Sequence, residues 1–446
     1  MFAAIRSGLA CLGLALPVLV SAESPLIVHE WGTFTSFQDE EGKTISGINV
    51  DDEPVPAFVH RLEDFDIFTL NSLPARWSQG APSCHPDVTL RLETPVVYFY
   101  PSQEFKDTRL DVRATFNGGW ITEFYPRAEA RNTDFPNALS ATSRGSTTWR
   151  GLTFGGSESD MPRTAEHVWL APRKVGASQI STSQGETEKY LFYRGVAHLD
   201  APVVVTRHND DLDIALRSSQ AQLKELPRLW VVSVAPNGSI QYRSAVPGGS
   251  HAHVAVPPST AAGSDAQKLQ SEIKAALIGQ GLYEDEAVAM LETWQLSYFK
   301  SEGLRVFFLL PQTWTESQLP LSISPAAKVT RVMMGRIELV SDTQRAALKT
   351  LYELPEQAFP KLPLYQDVPA VTKQWHERQR PLSKLYQAAG RKAPASLIQY
   401  ETLGRFRDAL LLHELASATE ETKRKRLQQI ISEFSACSPA SPEGGG

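Results

Sequence analysis

The chain has 446 residues, of which 42% are hydrophobic and 21% charged, and this globular composition excludes disordered and fibrous proteins. Its 44 basic and 50 acidic residues give a formal net charge of −6. That balance argues against nucleic-acid binding, because proteins that bind nucleic acids carry a basic surface. The length is enough for about two or three domains, each with a substantial hydrophobic core.

Residues 1–22 have the pattern of a secretory signal peptide. A single basic residue precedes an apolar run from Gly8 to Val20, and small residues lead to an expected cleavage between Ala22 and Glu23. An N-terminal anchor helix is the alternative, but the run is shorter than the roughly 20 residues that span a bilayer. No later apolar stretch reaches the length of a membrane span. We therefore predict an exported protein, periplasmic or extracellular, without a transmembrane segment in the mature chain.

Residues 23–262 are predicted to form a β-rich body. Short runs of β-branched and aromatic residues alternate with clusters of Gly, Pro, Asn and Asp, which is typical of antiparallel sandwiches and barrels. Two turn sequences, Asn117-Gly118-Gly119 and Pro236-Asn237-Gly238, predict hairpins. The predicted strands are 26–35, 96–100, 110–116, 120–125, 168–171, 190–196, 203–206, 229–234 and 239–244.

The pattern changes after residue 262. Residues 263–355 combine two amphipathic helix patterns with two strand patterns, and we expect this mixed region to pack on the β-rich body. Residues 356–436 carry helical apolar stripes, and residues 437–446 are a flexible tail rich in Ser, Pro and Gly. The predicted class is therefore α+β, with an antiparallel sandwich-like body, a mixed α/β region and a C-terminal helical segment.

A heptapeptide of polar and aromatic residues, HEWGTFT at positions 29–35, lies near the start of the predicted mature chain. On a regular strand His29 and Trp31 point to one face and Glu30 to the other, so a bulge is needed to bring His29 and Glu30 into one pocket. His29 and Glu30 are candidates for acid–base catalysis, and Trp31 is a candidate for ligand binding. The alternative is a buried first strand with aromatic packing.

This heptapeptide and several later motifs resemble a family of secreted bacterial proteins of unknown function. The later motifs are ETPVVYFY at 93–100, LFYRG at 191–195, Thr293-Trp294 and GRIE at 335–338. The resemblance extends over most of residues 29–340, which implies one integrated unit. It implies no activity, fold, cofactor or catalytic residue.

Histidines and carboxylates provide further candidates. His251-Ala252-His253 is the one His-x-His sequence, and on a strand both rings share a face, as metal ligands can require. Its alternative is a solvated histidine pair. Glu93 and Glu123 could form the carboxylate pair of a glycoside hydrolase, in which the two groups lie about 5 to 10 Å apart. The alternative is that both form surface ion pairs, Glu93 with Arg91 and Glu123 with Arg127.

Cleavage after residue 22 leaves two cysteines, Cys84 and Cys437. Disulfides persist in oxidising compartments, so these two residues are a disulfide candidate. Whether their positions allow a bond depends on geometry that the sequence does not show.

We expect an exported soluble protein that binds a small ligand or an envelope component, because the common catalytic motifs are missing from the sequence. The alternative is a metal- or carboxylate-dependent hydrolase of the cell envelope, and the sequence assigns no cofactor. A position of His29 or Glu30 within about 3 Å of another of these candidates, in a pocket, favours the hydrolase. Dispersed or dry side chains favour binding.

Overall fold

The structure of the protein is a computed structural model. The described residues are 25–50, 55–62, 77–78, 80–218, 223–258, 263–359, 382–388 and 390–435. The predicted signal peptide with its cleavage site, Cys437 and the predicted C-terminal tail lie outside these ranges.

Twenty strands lie in the described residues. They are β1 (Leu26–Gln38), β2 (His60–Arg61), β3 (Trp77–Ser78), β4 (Ala81–Pro82), β5 (Leu90–Pro101), β6 (Leu110–Asn117), β7 (Gly119–Tyr125), β8 (Glu129–Asn132), β9 (Arg144–Phe154), β10 (Ile180–Ser181), β11 (Thr187–Glu188), β12 (Leu191–Ala197), β13 (Val203–His208), β14 (Asp211–Leu216), β15 (Leu229–Val234), β16 (Ile240–Ala245), β17 (His251–Ala255), β18 (Gly303–Leu310), β19 (Leu321–Ser324) and β20 (Lys328–Leu339). Fifteen strands form one large mixed sheet, β13, β14 and β17 form a small sheet, and β3 pairs with β4.

The centre of the large sheet joins strands that are far apart in sequence. Its main path runs β11-β10-β9-β7-β12-β5-β1-β20-β18-β15-β16. β1 is parallel to β20, from Ile27 opposite Lys328 to Gln38 opposite Leu339, and antiparallel to β5. The mixed region after residue 262 therefore contributes β18 and β20 to the same sheet as the β-rich body.

The helices within the described ranges are α1 (His167–Leu170), α2 (Ala266–Gly279), α3 (Glu284–Thr293), α4 (Gln312–Gln318), α5 (Asp342–Glu353), α6 (Leu382–Ala388), α7 (Ala395–Thr402), α8 (Arg407–Ser417) and α9 (Glu421–Phe434). A π-helical turn, Leu296–Lys300, follows α3. Two groups of helices cover one face of the large sheet, with α2 and α3 at one end and α5 to α9 at the other.

Side-chain alternation along β1 separates the two faces of the sheet. Trp31 and Phe37 point to the helix-covered face, where each belongs to a different apolar cluster. Val28 and Phe34 point to the opposite face and pack in a third cluster that includes side chains of the small sheet. Each such buried side chain stabilises the fold by about 1.5–3 kcal/mol relative to exposure, so the register of β1 is strongly fixed.

The predicted fold class is confirmed: the protein is α+β, with a mostly antiparallel sheet and a helical C-terminal segment. The apolar stripe of α9 is buried as its spacing predicts, with Leu427, Ile430, Ile431 and Phe434 all in contact with the core. The turn at 236–238 joins β15 and β16 as the predicted hairpin.

Two local predictions are wrong. Residues 168–171 are predicted as a strand but lie in and just after helix α1, because four apolar residues do not distinguish strand from helix by periodicity. The turn at 117–119 does not make a hairpin, although Gly118 has the positive φ of 76° that such a turn requires. β6 pairs with β9 and β19 instead of β7, so tertiary pairing overrides the local turn.

In the part of the chain that the structure describes, no helix is long and apolar enough to cross a membrane.

Candidate functional site

A band of charged side chains crosses the helix-covered face between its two apolar clusters. We call this band the charged belt. Its members on the sheet are Arg91 and Glu93 of β5, Glu123 of β7, Arg194 of β12, Arg305 of β18, and Arg336 and Glu338 of β20. All of them are buried. Charged groups at this depth are costly unless they are paired, so their contacts bear directly on what the belt can do.

A bulge in β5 places Glu93 on this face. Trp31 of β1 lies opposite Val96 but Thr33 lies opposite Glu93, so β5 has one extra residue between these pairs. Without it the alternation of side chains would turn Glu93 to the opposite face. A Cβ on Gly32 would lie 3.1 Å from the Cα of Pro95, so glycine allows the bulge to approach β1 closely.

Three guanidinium groups meet the Glu93 carboxylate. Arg336 Nη2 lies 3.1 and 3.3 Å from its two oxygens, Arg405 Nη2 lies 3.0 Å from Oε1, and Arg91 Nη2 lies 3.4 Å from Oε1. The ring of Phe406 lies 4.9 Å from Arg405 Cζ and 5.9 Å from Arg91 Cζ, at cation–π distance. One carboxylate is thus shared among three cations.

Arg305 fastens the segment after α3 to the sheet. Its Nη1 and Nη2 groups donate to four main-chain oxygens between Ser297 and Glu302, at 2.6 to 3.2 Å. Its Nε donates to Glu338 Oε2 at 3.1 Å. Burial lowers the pKa of Arg305, Glu338 opposes this, and the nearby cations Arg336 and Arg405 lower it further.

Several buried donors of this region have no acceptor within the described residues. Arg336 Nη1, Thr35 Oγ1 and Trp294 Nε1 make no hydrogen bond there, and each residue is at most 2% exposed. Thr35 lies opposite Arg336 in the β1–β20 register. Arg336 Cζ lies 5.6 Å from the ring centre of Tyr298, which stacks on Trp294 at 6.2 Å. Thr35 and Arg336 are therefore neighbours, and the ring of Tyr298 connects Arg336 to Trp294; we call these three donors the donor patch.

A cavity of about 60 Å³ adjoins the belt between the sheet and the C-terminal helices. Its lining includes Glu338, Arg405, Phe406 and Gln344. A larger recess of about 550 Å³ lies at the acidic side of α3. There Lys174 is paired with Glu292 at 2.6 Å, and none of Thr35, Trp294 and Arg336 lines this recess. The small cavity borders the belt at Arg305 and Glu338, whereas Thr35, Trp294 and Arg336 are not part of its lining.

His29 and Glu30 point to opposite faces of the sheet, as regular alternation predicts. His29 Nδ1 lies 2.8 Å from Glu286 Oε2, and the Tyr100 hydroxyl donates to Glu286 Oε1 at 2.7 Å. Glu286 also accepts from the Tyr283 main-chain N–H at 2.7 Å. Burial and Glu286 raise the pKa of Tyr100. This buried group fixes the start of α3 on the sheet and does not line either recess.

Glu30 is held on the other face. It accepts from the Tyr193 hydroxyl and from Arg331 Nε, both at 2.5 Å. Burial opposes the charged form of Arg331, but the Glu30 carboxylate raises the pKa of this guanidinium above its ordinary value. His29 and Glu30 therefore do not meet each other or the other candidate residues, which removes the geometric support for an acid–base pair.

Glu93 and Glu123 are both ion-paired, although inside the protein and not at its surface. Glu123 accepts from Arg61 Nε at 2.8 Å and also contacts Arg194 Nε. Trp31, the ligand-binding candidate, is fully buried with its ring 6.2 Å from that of Tyr98. None of these side chains lines either recess.

His251 and His253 lie on one exposed face of β17. His253 Nδ1 is 2.8 Å from Asp213 Oδ1 and its Nε2 is 3.5 Å from Asp211 Oδ1. The hydrogen bond that the ring of His253 donates to Asp213 raises the pKa of His253. Across the described ranges, no group of three or more His, Cys, Asp and Glu side chains is arranged to hold a metal ion. The exposed pair agrees with the solvated-histidine interpretation.

Cys84 is disulfide-bonded. The chain's other cysteines, Cys11 and Cys437, lie outside the described residues, so the pairing of Cys84 with Cys437 stays a prediction.

The sequence interpretation missed Arg336, Arg405 and Thr35. A signal for Arg336 exists in the sequence, because Arg336 and Glu338 interrupt the apolar run from Val332 to Val340. Alternating charges inside an otherwise buried strand indicate an internal ion-pair network, since single buried charges are unfavourable. Arg405 could not be found this way, because its contact with Glu93 spans 312 positions.

No family model matches this chain, and no curated protein matches it. Among solved structures, the chain is similar to the Fcho1 Mu homology domain of Danio rerio, determined with a bound Eps15 peptide. The two share 6% sequence identity over 71% of this chain and 94% of that chain, with a TM-score of 0.24. A TM-score of this size does not establish a common fold.

Proposed function

We propose that this chain is an exported binding protein that takes up its ligand at the charged belt. The observation that carries the proposal is the patch of three buried donors, Thr35 Oγ1, Arg336 Nη1 and Trp294 Nε1, without acceptors in the described part of the chain. A buried donor without an acceptor destabilises a protein by about 1–3 kcal/mol. Such groups are few in native proteins and need an explanation, for which we propose a ligand that supplies the acceptor.

The state of the candidate catalytic groups supports binding over catalysis. Glu93 and Glu123 are each held by guanidinium groups, and His29 and Glu30 are buried on opposite faces. A general acid or base must reach the proton that it transfers, within hydrogen-bond distance of a substrate. No arrangement among the residues that the structure describes favours the alternative of a metal- or carboxylate-dependent hydrolase.

Two features support export. Residues 1–22 have the composition of a signal peptide, and Cys84 is disulfide-bonded, as is common in oxidising compartments and rare in the cytosol. The test is fractionation of the native host followed by N-terminal sequencing. We expect the protein outside the cytoplasm with Glu23 as its first residue. An uncleaved chain in the cytoplasm would overturn this part of the proposal.

The binding proposal is tested by Thr35→Val, which replaces the hydroxyl by a methyl of similar size. Mature protein is screened by thermal shift against small carboxylates, phosphates, neutral sugars and amines. Thr315 is the matched control, because its hydroxyl is also buried and lacks an acceptor among the described residues, but it lies in α4, outside the helical groups that flank the belt.

We expect Thr35→Val and Thr315→Val each to raise the melting temperature of the unliganded protein, because an unsatisfied buried hydroxyl is removed. A ligand that stabilises wild type and Thr315→Val should lose most of its effect on Thr35→Val. Equal ligand effects on all three proteins, or no ligand effect from the whole panel, would contradict binding at the belt.

A further inference from the structure

We infer that the ligand of the belt presents a compact anionic oxygen group, a carboxylate or a phosphate, to Arg336. The inference rests on the proposed function and names the chemical class of the ligand.

The hydrogen bonding of Arg336 shows which nitrogen of its guanidinium is available. Nη2 donates to both oxygens of Glu93, at 3.1 and 3.3 Å. Nε lies 3.5 Å from Glu338 Oε1, an ion-pair contact beyond good hydrogen-bond distance, and Nη1 has no acceptor in the described ranges. The guanidinium is fully buried and lies near the face of Tyr298. An acceptor at Nη1 would supply the partner that this nitrogen lacks among the described residues.

The distribution of charge favours an anion over a neutral acceptor. Glu338 is the closer partner of Arg305, at 3.1 Å, and the Glu93 carboxylate is shared with two further guanidinium groups. Those two, Arg91 and Arg405, make other contacts as well, so the argument rests on Arg336 itself. A neutral acceptor would satisfy its N–H groups, whereas an anionic one would also balance its charge in a low-dielectric site.

The neutral donors beside Arg336 suit the same ligand. The hydroxyl of Thr35 and the indole N–H of Trp294 can both donate to oxygen, and neither has an acceptor among the described residues. A carboxylate or phosphate has enough lone pairs to accept from a guanidinium and from neutral donors together.

The volume of the cavity beside the belt limits the ligand. The adjoining cavity has a volume of about 60 Å³, whereas a single water needs about 10–15 Å³ on this measure. The cavity therefore accepts a group of only a few heavy atoms, and this group must pass beyond the cavity lining to reach Thr35 and Arg336. A free small anion, or the anionic end group of a larger molecule whose remainder stays outside, meets this limit.

The test is isothermal titration calorimetry on the mature protein, with sodium phosphate and sodium acetate as separate probes and sodium chloride holding the ionic strength constant. Wild type, Thr35→Val, Glu93→Gln and the control Thr315→Val are compared. Phosphate also stabilises proteins by exclusion from their surface, but that effect is common to all four proteins and produces no binding isotherm.

We expect a one-site isotherm for at least one of the two anions with wild type and Thr315→Val. The affinity should fall about tenfold or more in Thr35→Val, the equivalent of one strong hydrogen bond. It should rise in Glu93→Gln, because that substitution removes the carboxylate that competes for Arg336. The anion that binds identifies the ligand group as phosphate or carboxylate.

Two results would overturn the inference, and they are distinguishable. If neither anion binds but a neutral ligand of the thermal-shift panel stabilises wild type and fails with Thr35→Val, the anionic class is wrong and binding at the belt stands. If no anion and no neutral ligand distinguishes Thr35→Val from Thr315→Val, the inference and the proposed function both fall.

Discussion

The close contact between Gly32 and Pro95 accounts for the glycine of the HEWGTFT motif and for the proline of the ETPVVYFY motif. The extra residue of β5 lies opposite Gly32, where a side chain would meet the Pro95 backbone at 3.1 Å and the Met333 side chain at 3.3 Å. The bulge rotates Glu93 into the charged belt, so the small residue in one strand positions a carboxylate in the next. Spacing alone could not have shown this, because a regular strand would place Glu93 on the other face.

Gly32→Ala tests that contact. We expect a loss of about 1–3 kcal/mol in the free energy of unfolding, because the backbone of Pro95 cannot yield as a flexible side chain would. Urea denaturation measures it. Gly249→Ala is the matched control, since a Cβ added at Gly249 would meet nothing within 4 Å, and it should change stability by less than about 0.5 kcal/mol. Equal effects of both substitutions would contradict the role of Gly32.

The buried pair of Glu30 and Arg331 gives a second residue-scale prediction. Glu30→Gln leaves the Arg331 guanidinium without the carboxylate that it contacts at 2.5 Å, and we expect a loss of about 3–5 kcal/mol in unfolding free energy. The control is Glu129→Gln, whose carboxylate is 59% exposed and pairs with Arg150, so we expect about 0–1 kcal/mol. Chemical denaturation measures both variants. If Glu30→Gln and Glu129→Gln lose similarly small amounts of unfolding free energy, Arg331 has another counter-ion.

A pH dependence follows from the exposed pair of His253 and Asp213. The hydrogen bond raises the pKa of His253 and lowers the pKa of Asp213. The contribution of His253 to stability is therefore complete below its unfolded pKa of about 6.5 and is lost as the pH rises through its folded value. The contribution of Asp213 is present above about pH 4 and is lost as the pH falls through its lowered folded pKa.

NMR titration of the histidine ring tests this pair. Asp213→Asn should lower the pKa of His253 toward its ordinary value, because the charged acceptor is gone. Glu129→Gln, remote from this ring, should leave the titration curve in place. A His253 curve that does not move in Asp213→Asn would show that the hydrogen bond is not formed in solution.

At the scale of elements, one side chain holds the segment that connects α3 to β18. α3 ends at Thr293, the π-helical turn Leu296–Lys300 follows, and Arg305 binds four main-chain oxygens near the end of that turn. Carbonyl groups at a helix end have no partners within the helix, and a cation that donates hydrogen bonds to them stabilises the end. Arg305 therefore has a structural role in the belt. Arg336, in contrast, has a nitrogen without an acceptor in the described residues.

Arg305→Met tests the structural half. The substitution removes all five hydrogen bonds of Arg305, and Glu338 keeps its ion pair with Arg336. We expect a loss of at least about 3 kcal/mol in unfolding free energy. Limited proteolysis should then cut within the segment between Trp294 and Gly303. Arg345→Met, at a partly exposed ion pair with Glu40, is the control, with an expected smaller loss and no new cleavage there. Resistance of the segment in Arg305→Met would contradict this role.

Elements with long, regular patterns could be predicted, whereas of the two predicted hairpins only the pairing of β15 with β16 is correct. The spacing of Leu269, Ile273 and Leu277 predicts helix α2 and its buried face, because an amphipathic helix repeats every 3.6 residues. The turn at residues 117–119 has the right chemistry for a hairpin, yet β6 pairs with β9. Turn residues specify a local reversal of the chain, whereas hydrogen-bond partners are chosen by the packing of the whole sheet.

At the scale of the whole molecule, the sheet and the C-terminal helices form a continuous structure. β1 is parallel to β20 across about three hundred positions, and Phe406 of the C-terminal segment packs against Phe37 of β1. The belt lies where the two helical groups meet the same sheet, so no single stretch of sequence contains it. Sequence analysis could name Glu93, but the cations around it come from distant positions in the chain.

The central claim is that a small anion completes the hydrogen bonding of Arg336. The most direct measurement is a high-resolution crystal structure of the mature protein equilibrated with phosphate and, separately, with acetate. The account predicts density for an anion whose oxygens lie about 2.7–3.2 Å from Arg336 Nη1 and from Thr35 Oγ1. Ordered water alone at these atoms in both crystals, or a guanidinium that is saturated by protein acceptors, would contradict it.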